Sequence, residues 1–396
     1  MLTRLLACVC LFLASPQDPA PAPAPAPASE PELDPEQQLV ADLQYALEEG
    51  ESADFLACVD VDALLEKATA KVEVDERFRK GFCEGARESL PAAFHDSIQN
   101  TLGDDGSLHF LRIRTQRGRK TVLFRLLAPQ TGVNYLEFSI RAGPQKQLRV
   151  DDWYAYTSGE WASETMHHLY LPFAMQQQRG LLDRLLGKDQ LLVKHWASIA
   201  KITECAGKGE VERGLEIYRS LPEELRHDKV VLLQRLRLLA GHTENEDYLH
   251  LLEDLRRYCA GDPSNELHAI DYHYIRQEWR RAAEAVRRLR DSLDGDPYLD
   301  CLESTVLALA EDLPAAREAA ERSIAGEAEL LQAHWQLVSI CLAQKDFKAV
   351  LAALERIDGI FELEWNDLTQ SEQYKDFAAS PQHSEWLGYL RAKPKR

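Results

Sequence analysis

Residues 261–297 read "GDPSNELHAIDYHYIRQEWRRAAEAVRRLRDSLDGDP", and this stretch decides the fold because it begins and ends with the same tripeptide. We call the separation of its two prolines, Pro263 and Pro297, the repeat interval. Three alanines recur at the same interval: Ala285, Ala319 and Ala353. Within the stretch, apolar residues from Trp279 to Leu293 are spaced by three and four, as on one face of an α-helix. We therefore predict that a helical unit recurs along the C-terminal half of the chain.

The repeat interval predicts five units, which begin near residues 198, 232, 266, 300 and 334. This pattern, over residues 190–360, resembles the tetratricopeptide (TPR-like) repeats, whose helix–turn–helix units have the same length, about 34 residues. In that family a small residue stands where paired helices come closest. Here that position holds larger residues in most units, so we expect wider packing: Cys205, Leu239, His273, Leu307 and Cys341. The resemblance implies an α-α solenoid of about five units over residues 198–357.

Residues 358–396 break the interval, and we expect them to cap the last unit. A solenoid needs a cap because each unit buries its apolar face only against a neighbour. The apolar residues available for this are Tyr374, Phe377, Trp386, Leu387 and Leu390.

The resemblance also implies a groove, because the first helix of each tetratricopeptide unit lines the surface on which peptides dock. The lining would include Leu233, Leu236, Leu267, Ile270, Tyr274, Gln277, Trp335, Val338 and Leu342. A lining this apolar predicts an apolar occupant, such as an amphipathic helix of a partner, a second copy of the chain or its own N-terminal domain. Alternatively, the register is displaced by one or two residues and some of these side chains belong to the core between helices.

Five arginines follow Trp279 on the predicted second helix: Arg280, Arg281, Arg287, Arg288 and Arg290. Because second helices lie on the outer side of a tetratricopeptide array, we interpret these arginines as a solvated face. The alternative is a binding patch for an anion or an acidic partner.

Residues 36–160 have a different pattern from the repeats: three segments with helical spacing of apolar residues are followed by four short β-rich runs. In the third run Leu136, Phe138 and Ile140 alternate with polar residues, which predicts an antiparallel sheet with one face in water. The fold is thus mainly α, with an α+β N-terminal domain of three helices and a four-stranded antiparallel sheet. The element order resembles the cone-shaped domains of the nuclear-transport-factor-like (SnoaL-like) superfamily. We expect connecting helices over residues 161–197.

One strand of this domain carries a candidate pocket. Asp152, Tyr154 and Tyr156 share a strand face, since successive side chains alternate. In a hollow cone, apolar surroundings would raise the pKa of a carboxyl and suit it to proton transfer. The alternative is a packed strand with acids facing water, and we favour it because no second charged group in the sheet forms an obvious pair with Asp152.

The N-terminus predicts export. Residues 1–15 contain one positive residue, Arg4, followed by an apolar stretch too short to span a bilayer, as in a signal peptide. Residues 16–35 are rich in Ala and Pro and predict a semi-rigid spacer. We expect a periplasmic or extracellular, envelope-associated protein without a lipid tether, because Cys8 follows Arg4 too closely for a lipoprotein signal. The net charge of −19 disfavours nucleic acid and anionic lipid as partners.

Few residues carry a chemical motif. The cysteines form no CxxC pair and the histidines no metal-binding spacing, so we expect no metal and no cofactor. Disulfides between Cys58 and Cys83 or between Cys259 and Cys301 are conceivable in an exported protein. We therefore expect a non-catalytic scaffold or adaptor that binds a protein partner. The alternatives are a ligand-binding or proton-transfer cone with the solenoid as docking arm, and a homo-oligomeric envelope structure protein.

Overall fold

The computed structural model describes residues 34–70, 72, 74–116, 118–128, 132–143, 147–177, 188–361 and 363–393. The predicted leader and nearly all of the spacer lie outside these residues. The chain divides into two compact units, one formed by Glu30–His268 and the other containing Ala269–Arg396. The fold is mainly helical, as predicted. Within the described residues, no helix combines the length and the apolar character that crossing a membrane requires.

Four helices open the first unit, where three were predicted. They are α1 (Pro35–Glu48), α2 (Ser52–Cys58), α3 (Val61–Thr69) and α4 (Glu76–Leu102). The segment that looked like one helix breaks after Cys58, because Val59 is extended and forms a β-bridge with Val150. Asp60 then caps α3 by accepting a hydrogen bond from the amide of Ala63 at 3.1 Å.

The sheet has five antiparallel strands in sequential order, where four were predicted. They are β1 (Ser107–Gln116), β2 (Arg119–Ala128), β3 (Gly132–Ala142), β4 (Leu148–Ala155) and β5 (Glu160–Trp161). The fifth strand is only two residues long and pairs with Tyr154 and Ala155. Residues 156–159 form the turn between β4 and β5, in which Gly159 adopts a φ of 64°. Helix α5 (Ala162–Gln177) begins directly after the strand.

One face of the sheet packs against the N-terminal helices through a cluster of aromatic rings. Phe94 contacts Trp153 and Phe55 with ring centroids 4.6 and 5.3 Å apart, and Phe138 joins both phenylalanines. Rings and aliphatic side chains pack in the layer between helices and sheet. They occupy most of the space that a hollow cone would leave open at this face, but Phe94, Leu136 and Trp153 also line a half-open cavity of about 430 Å³.

The opposite face is polar but is not in water, contrary to the prediction. Glu137 and Ser139 are 3% and 4% exposed, although they alternate with apolar residues as on a solvated sheet. Arg125, on the neighbouring strand, is equally buried. Exposed charges lie toward the ends of the strands, at Arg119 on β2 and at Arg141 on β3, and Arg141 pairs with Asp60 at 2.6 Å. Alternation correctly identified which residues share a face, but it does not distinguish water from a buried polar layer.

Further helices among the described residues of the first unit are α6 (Lys188–Lys208), α7 (Val211–Ser220), α8 (Glu223–Arg226), α9 (Lys229–Leu238) and α10 (Glu246–Tyr258). Helix α6 packs against α7 and α9, and α9 against α10. Helix α11 (Asn265–Ile275) follows. The second unit continues with α12 (Trp279–Ser292), α13 (Pro297–Leu309), α14 (Leu313–Gly326), α15 (Leu331–Ala343) and α16 (Phe347–Ile360).

The backbone of these helix pairs recurs at the repeat interval found in the sequence. Gln277, Glu311 and Lys345 adopt left-handed conformations with φ of 57°, 60° and 58°, and the repeat interval separates each from the next. In each case the following amide bonds to a carbonyl five residues back, at 2.9–3.0 Å, in the pairs Glu278–His273, Asp312–Leu307 and Asp346–Cys341. This αL turn ends one helix and starts the next. It explains why α12, α14 and α16 begin at equal spacing.

Replacing Glu311 with glycine should raise the free energy of unfolding by about 1 kcal/mol, because a β-carbon in the left-handed region is strained by roughly that amount. Chemical denaturation measures the change. Glu311→Ala retains the β-carbon and should give no comparable gain. If the two substitutions change the free energy of unfolding equally, the effect of glycine does not come from relief of backbone strain at this turn.

The C-terminal segment packs on the last helix pair. After two 3₁₀ turns, α17 (Lys375–Ala378) and α18 (Pro381–Ala392) follow, and α18 lies against α16. Of the expected capping residues, Tyr374, Phe377 and Trp386 are buried, whereas Leu387 is 37% exposed. Phe377 contacts Phe347 of α16 at 6.0 Å.

Candidate functional site

The three residues of the predicted pocket have different surroundings. Tyr154 lines a cavity, and Tyr156 lies beside it with the rings 5.1 Å apart and its own side chain fully buried. Asp152 does not reach this cavity. It is fully buried and accepts hydrogen bonds from the hydroxyl and the amide of Ser163 at 2.6 and 3.1 Å. Burial raises the pKa of Asp152, and the bonds from Ser163 oppose that rise. Asp152 therefore anchors the start of α5.

The sheet contains a buried ion pair that the sequence analysis missed. Arg114 on β1 donates to both carboxylate oxygens of Glu137 on β3, at 3.0 and 2.8 Å. The hydroxyl of Thr121 on β2 donates to the same carboxylate at 2.6 Å, and Arg114 donates to the phenol oxygen of Tyr156 at 3.0 Å. Each of these side chains is at most 8% exposed. The sequence predicted no charged partner within the sheet for Asp152, and this pair is a different one, between side chains of β1 and β3, which β2 separates.

A second polar cluster joins the sheet to the loops between the helices of the same unit. The Tyr154 hydroxyl donates to Asp262, and the Lys229 ammonium donates to Asp262 and to the carbonyl of Gly159. Asp262 also accepts from the amide and hydroxyl of Ser264 at 2.9 and 2.7 Å. Lys229 is the first residue of α9 and Asp262 lies in the loop after α10, so this cluster holds the start of α9 and that loop at the end of β4.

The charge of Asp262 is stabilised within this cluster. Burial alone would raise the pKa of its carboxyl, but the hydrogen bonds from Lys229 and Tyr154 lower it below the usual value. Burial and the neighbouring carboxylate raise the pKa of the Tyr154 phenol. At neutral pH the cluster therefore holds an ionised Asp262 and a protonated Tyr154. A carboxyl with a lowered pKa is poorly suited to act as a general acid at that pH.

Between the two clusters lies a half-open cavity of about 560 Å³. Its wall includes Glu137 and Thr121 of the sheet, Tyr154 and Trp161 of β4 and β5, and the loop residues around Asp262. Trp161 and Tyr154 lie with ring centroids 5.4 Å apart, and the guanidinium of Arg119 lies 5.0 Å from the Trp161 ring. The arrangement can bind a small polar molecule, since directed hydrogen-bonding groups and flat rings meet in one concave surface.

Of this site, the sequence analysis named only Tyr154 and Tyr156. Asp262 belongs to the tripeptide that revealed the repeat interval, and no binding role was predicted for it. Its carboxylate accepts hydrogen bonds from Ser264 nearby in the chain and also from Tyr154 and Lys229. Lys229 lies far from Gly159 along the chain, and no periodic pattern could connect them.

The predicted groove residues fall into two groups. Five of them are at most 8% exposed and pack within the helical layers: Leu233, Ile270, Tyr274, Trp335 and Val338. Leu236, Leu267 and Leu342 are half-buried, and Gln277 is exposed at the αL turn. The Trp335 ring is partly covered by Trp365, which in turn contacts Trp386 of the C-terminal segment. The buried positions agree with the alternative stated above, in which some of the predicted groove residues belong to the core between helices.

Two of the five arginines of α12 take part in an intramolecular ion network. Arg287 and Arg290 donate to Glu303 of α13, which is 2% exposed, and Arg322 of α14 donates to the same carboxylate at 2.9 Å. Arg290 also bonds to Asp300 at 2.7 Å. Arg287, Arg290 and Arg322 thus link α12 and α14 to α13 through ion pairs. Arg280, Arg281 and Arg288 have exposed side chains, as predicted for a solvated face.

The cysteines of the described part of the chain are thiols, so neither the Cys58–Cys83 nor the Cys259–Cys301 disulfide is formed. Burial raises the pKa of the Cys58 thiol to about 12. Among the described residues, no group of three or more His, Cys, Asp or Glu side chains is arranged to hold a metal ion.

Comparison with known proteins gives one match. No protein-family model matches the chain, and no curated protein matches it. Among solved structures, MamA residues 41-end from Desulfovibrio magneticus RS-1 aligns with a TM-score of 0.37 and 14% sequence identity. The alignment covers 45% of this chain and 96% of that one. Similarity at this level does not establish a shared fold.

Proposed function

We propose that this chain is an exported, non-catalytic scaffold that binds a protein partner through its paired helices. The observation that carries the proposal is the recurrence of the αL turns at Gln277, Glu311 and Lys345, one repeat interval apart. Helix pairs that repeat in register place equivalent side chains in rows along one surface. Such rows suit the recognition of an extended or helical polypeptide.

The row best placed for binding is displaced from the one that the sequence indicated. Ile275, Leu309 and Ala343 recur at the repeat interval near the ends of α11, α13 and α15, and Leu342 adjoins the last of them. We call these four residues the first-helix row. Leu309 is 42% exposed, Ala343 is exposed, and the other two are half-buried. The row offers an apolar strip to the apolar face of an amphipathic segment of the partner.

The proposed export rests on residues 1–15, which have the pattern of a signal peptide, and the Ala/Pro-rich spacer would then separate the N-terminus from the folded units. A second copy of the chain is the alternative occupant of the row. Solution mass at micromolar concentration distinguishes the two, since a self-associating chain elutes as a multiple of the monomer.

A photo-crosslinking amino acid at Leu309 tests the proposal in intact cells of the native host. Crosslinking there should yield one defined polypeptide in the extracytoplasmic fraction, whereas the same amino acid at Leu387, an exposed leucine outside the helix pairs, should not. With the purified partner, Leu309→Arg should weaken binding by at least about 10-fold, since a buried leucine contributes roughly 1.5–3 kcal/mol. Leu387→Arg should leave the affinity unchanged.

Leu309 is a better test position than Trp335. A charge at Trp335, which is 8% exposed, would disturb packing against Trp365 and would change stability as well as binding. Equal crosslinking at Leu309 and Leu387, or equal loss of affinity from the two arginine substitutions, would contradict the proposal.

A further inference from the structure

The cavity beside Tyr154 carries an inference that does not depend on the helix pairs. All of its lining residues lie in the Glu30–His268 unit. Its volume of about 560 Å³ falls within the range of small-molecule sites, about 300–1,000 Å³. Its buried polar groups, among them Glu137, Tyr154 and Asp262, are fixed by hydrogen bonds within the protein before any ligand arrives, so they would need little ordering on binding.

Charge on the cavity wall is already balanced. Glu137 is neutralised by Arg114, which lies behind it, and Asp262 is neutralised by Lys229. Arg119 and Glu164, the two remaining charged residues of the wall, have opposite signs and are exposed. A strongly charged ligand would gain no net attraction and would have to compete with a buried pair, which is costly to break. The balance favours a neutral ligand.

The same wall offers many hydrogen-bonding atoms of both kinds. Carboxylate oxygens of Glu137, Glu164 and Asp262 accept, whereas the side chains of Arg119 and Gln116 donate. Oxygen Oε2 of Glu137 receives one short bond, from Arg114 at 2.8 Å, and a long one from Tyr156 at 3.5 Å, so it keeps capacity for a further donor. A ligand matching this wall carries several groups that both donate and accept, as hydroxyl groups do.

Flat aromatic surface completes the match. Trp161 and Tyr154 line the cavity together, whereas Tyr258, which also lines it, stacks on His227 with ring centroids 4.0 Å apart. Aromatic rings pack well against the aliphatic C–H groups of a ligand whose edges are polar. Neutral charge, numerous hydroxyl groups and an aliphatic ring face together describe a carbohydrate. We propose that this cavity is a binding site for a neutral oligosaccharide.

Titration of the full chain with maltotriose, cellotriose and N,N′,N″-triacetylchitotriose tests the site. At least one trisaccharide should bind saturably in isothermal titration calorimetry and should change the emission of Trp161, measured as the difference between wild type and Trp161→Phe. Trp161→Ala should weaken that binding by about 10-fold or more, the loss expected for a buried aromatic contact. Trp196→Ala removes a half-buried tryptophan of the same unit that does not line the cavity, and it should bind as wild type does.

Glutamate and inorganic phosphate serve as charged competitors in the same titration. Neither should displace the sugar. Absence of saturable binding by all three trisaccharides up to about 10 mM, a range in which binding is worth only about 3 kcal/mol, would overturn the proposal. Binding of glutamate or phosphate that Trp161→Ala abolishes would also overturn it and would identify an anion site. Neither result bears on Leu309 or on the partner of the helix pairs.

Discussion

Replacing Glu137 with alanine should lower the free energy of unfolding of the N-terminal unit by about 3–5 kcal/mol, the usual loss when one partner of a buried ion pair is removed. The substitution leaves the Arg114 guanidinium charged at 8% exposure and deprives the Thr121 hydroxyl of its acceptor. Chemical denaturation followed by circular dichroism measures the loss. Hydrogen exchange on β1–β3 should locate it in the sheet.

Two further variants distinguish the cost of leaving one buried charge without its partner from the contribution of the ion pair as a whole. Glu36 pairs with Lys120 at the surface of the same unit, and Glu36→Ala should lower stability by less than about 1 kcal/mol. The double variant Arg114→Met and Glu137→Leu removes both charges and should recover much of the loss, since apolar residues replace buried pairs at little cost. A single variant that loses no more stability than Glu36→Ala would show that Arg114 does not depend on Glu137.

Replacing Trp386 with alanine should cost about 3–5 kcal/mol in the second unit, as large-to-small changes of buried tryptophan do. Trp386 is 1% exposed and contacts Trp365 and Tyr389 with ring centroids 4.7 and 5.5 Å apart. Because Trp365 covers Trp335 of α15, the loss extends to the last helix pair. Limited proteolysis should cut the variant within residues 331–393 at denaturant concentrations that wild type resists.

Leu387 lies next to Trp386 on the same helix and provides the matched control. Its side chain is 37% exposed, so Leu387→Ala should cost less than about 1 kcal/mol. If Trp386→Ala is no more sensitive to denaturant than Leu387→Ala, the C-terminal segment does not stabilise the helix pairs.

The helical half was predictable because its signals are local. The αL turns at Gln277, Glu311 and Lys345 and the helix starts that follow them depend on contacts within a few residues. Those contacts set the interval that the prolines and alanines reveal. Assigning the groove required more, because the exposed side of a helix depends on how its neighbours pack. The sequence placed Val338 in the groove, and the structure buries it completely.

The candidate site was predictable only in part. Alternation in β4 placed Tyr154 and Tyr156 on one face, and both border the cavity region. Glu137 was assigned to the same sheet but to its solvated side. A strand with one polar face has the same alternating sequence whether that face contacts water or a buried polar cluster. Lys229, at the start of α9, and Asp262, in the loop after α10, lie far along the chain from β4, and Asp262 also has a local role because it accepts hydrogen bonds from Ser264. A single sequence indicates the local role of such a residue but not its contacts with residues far along the chain.

The αL turns also bear on how long the helical array can be. Each turn is closed by a bond between residues five positions apart, such as Glu278 and His273, and none of these bonds requires a partner elsewhere in the chain. Inserting or removing one whole repeat interval within α12–α16 would therefore preserve every remaining turn. Array length is free to change in whole steps, during evolution or by design, provided that the segment containing Trp386 stays at its end.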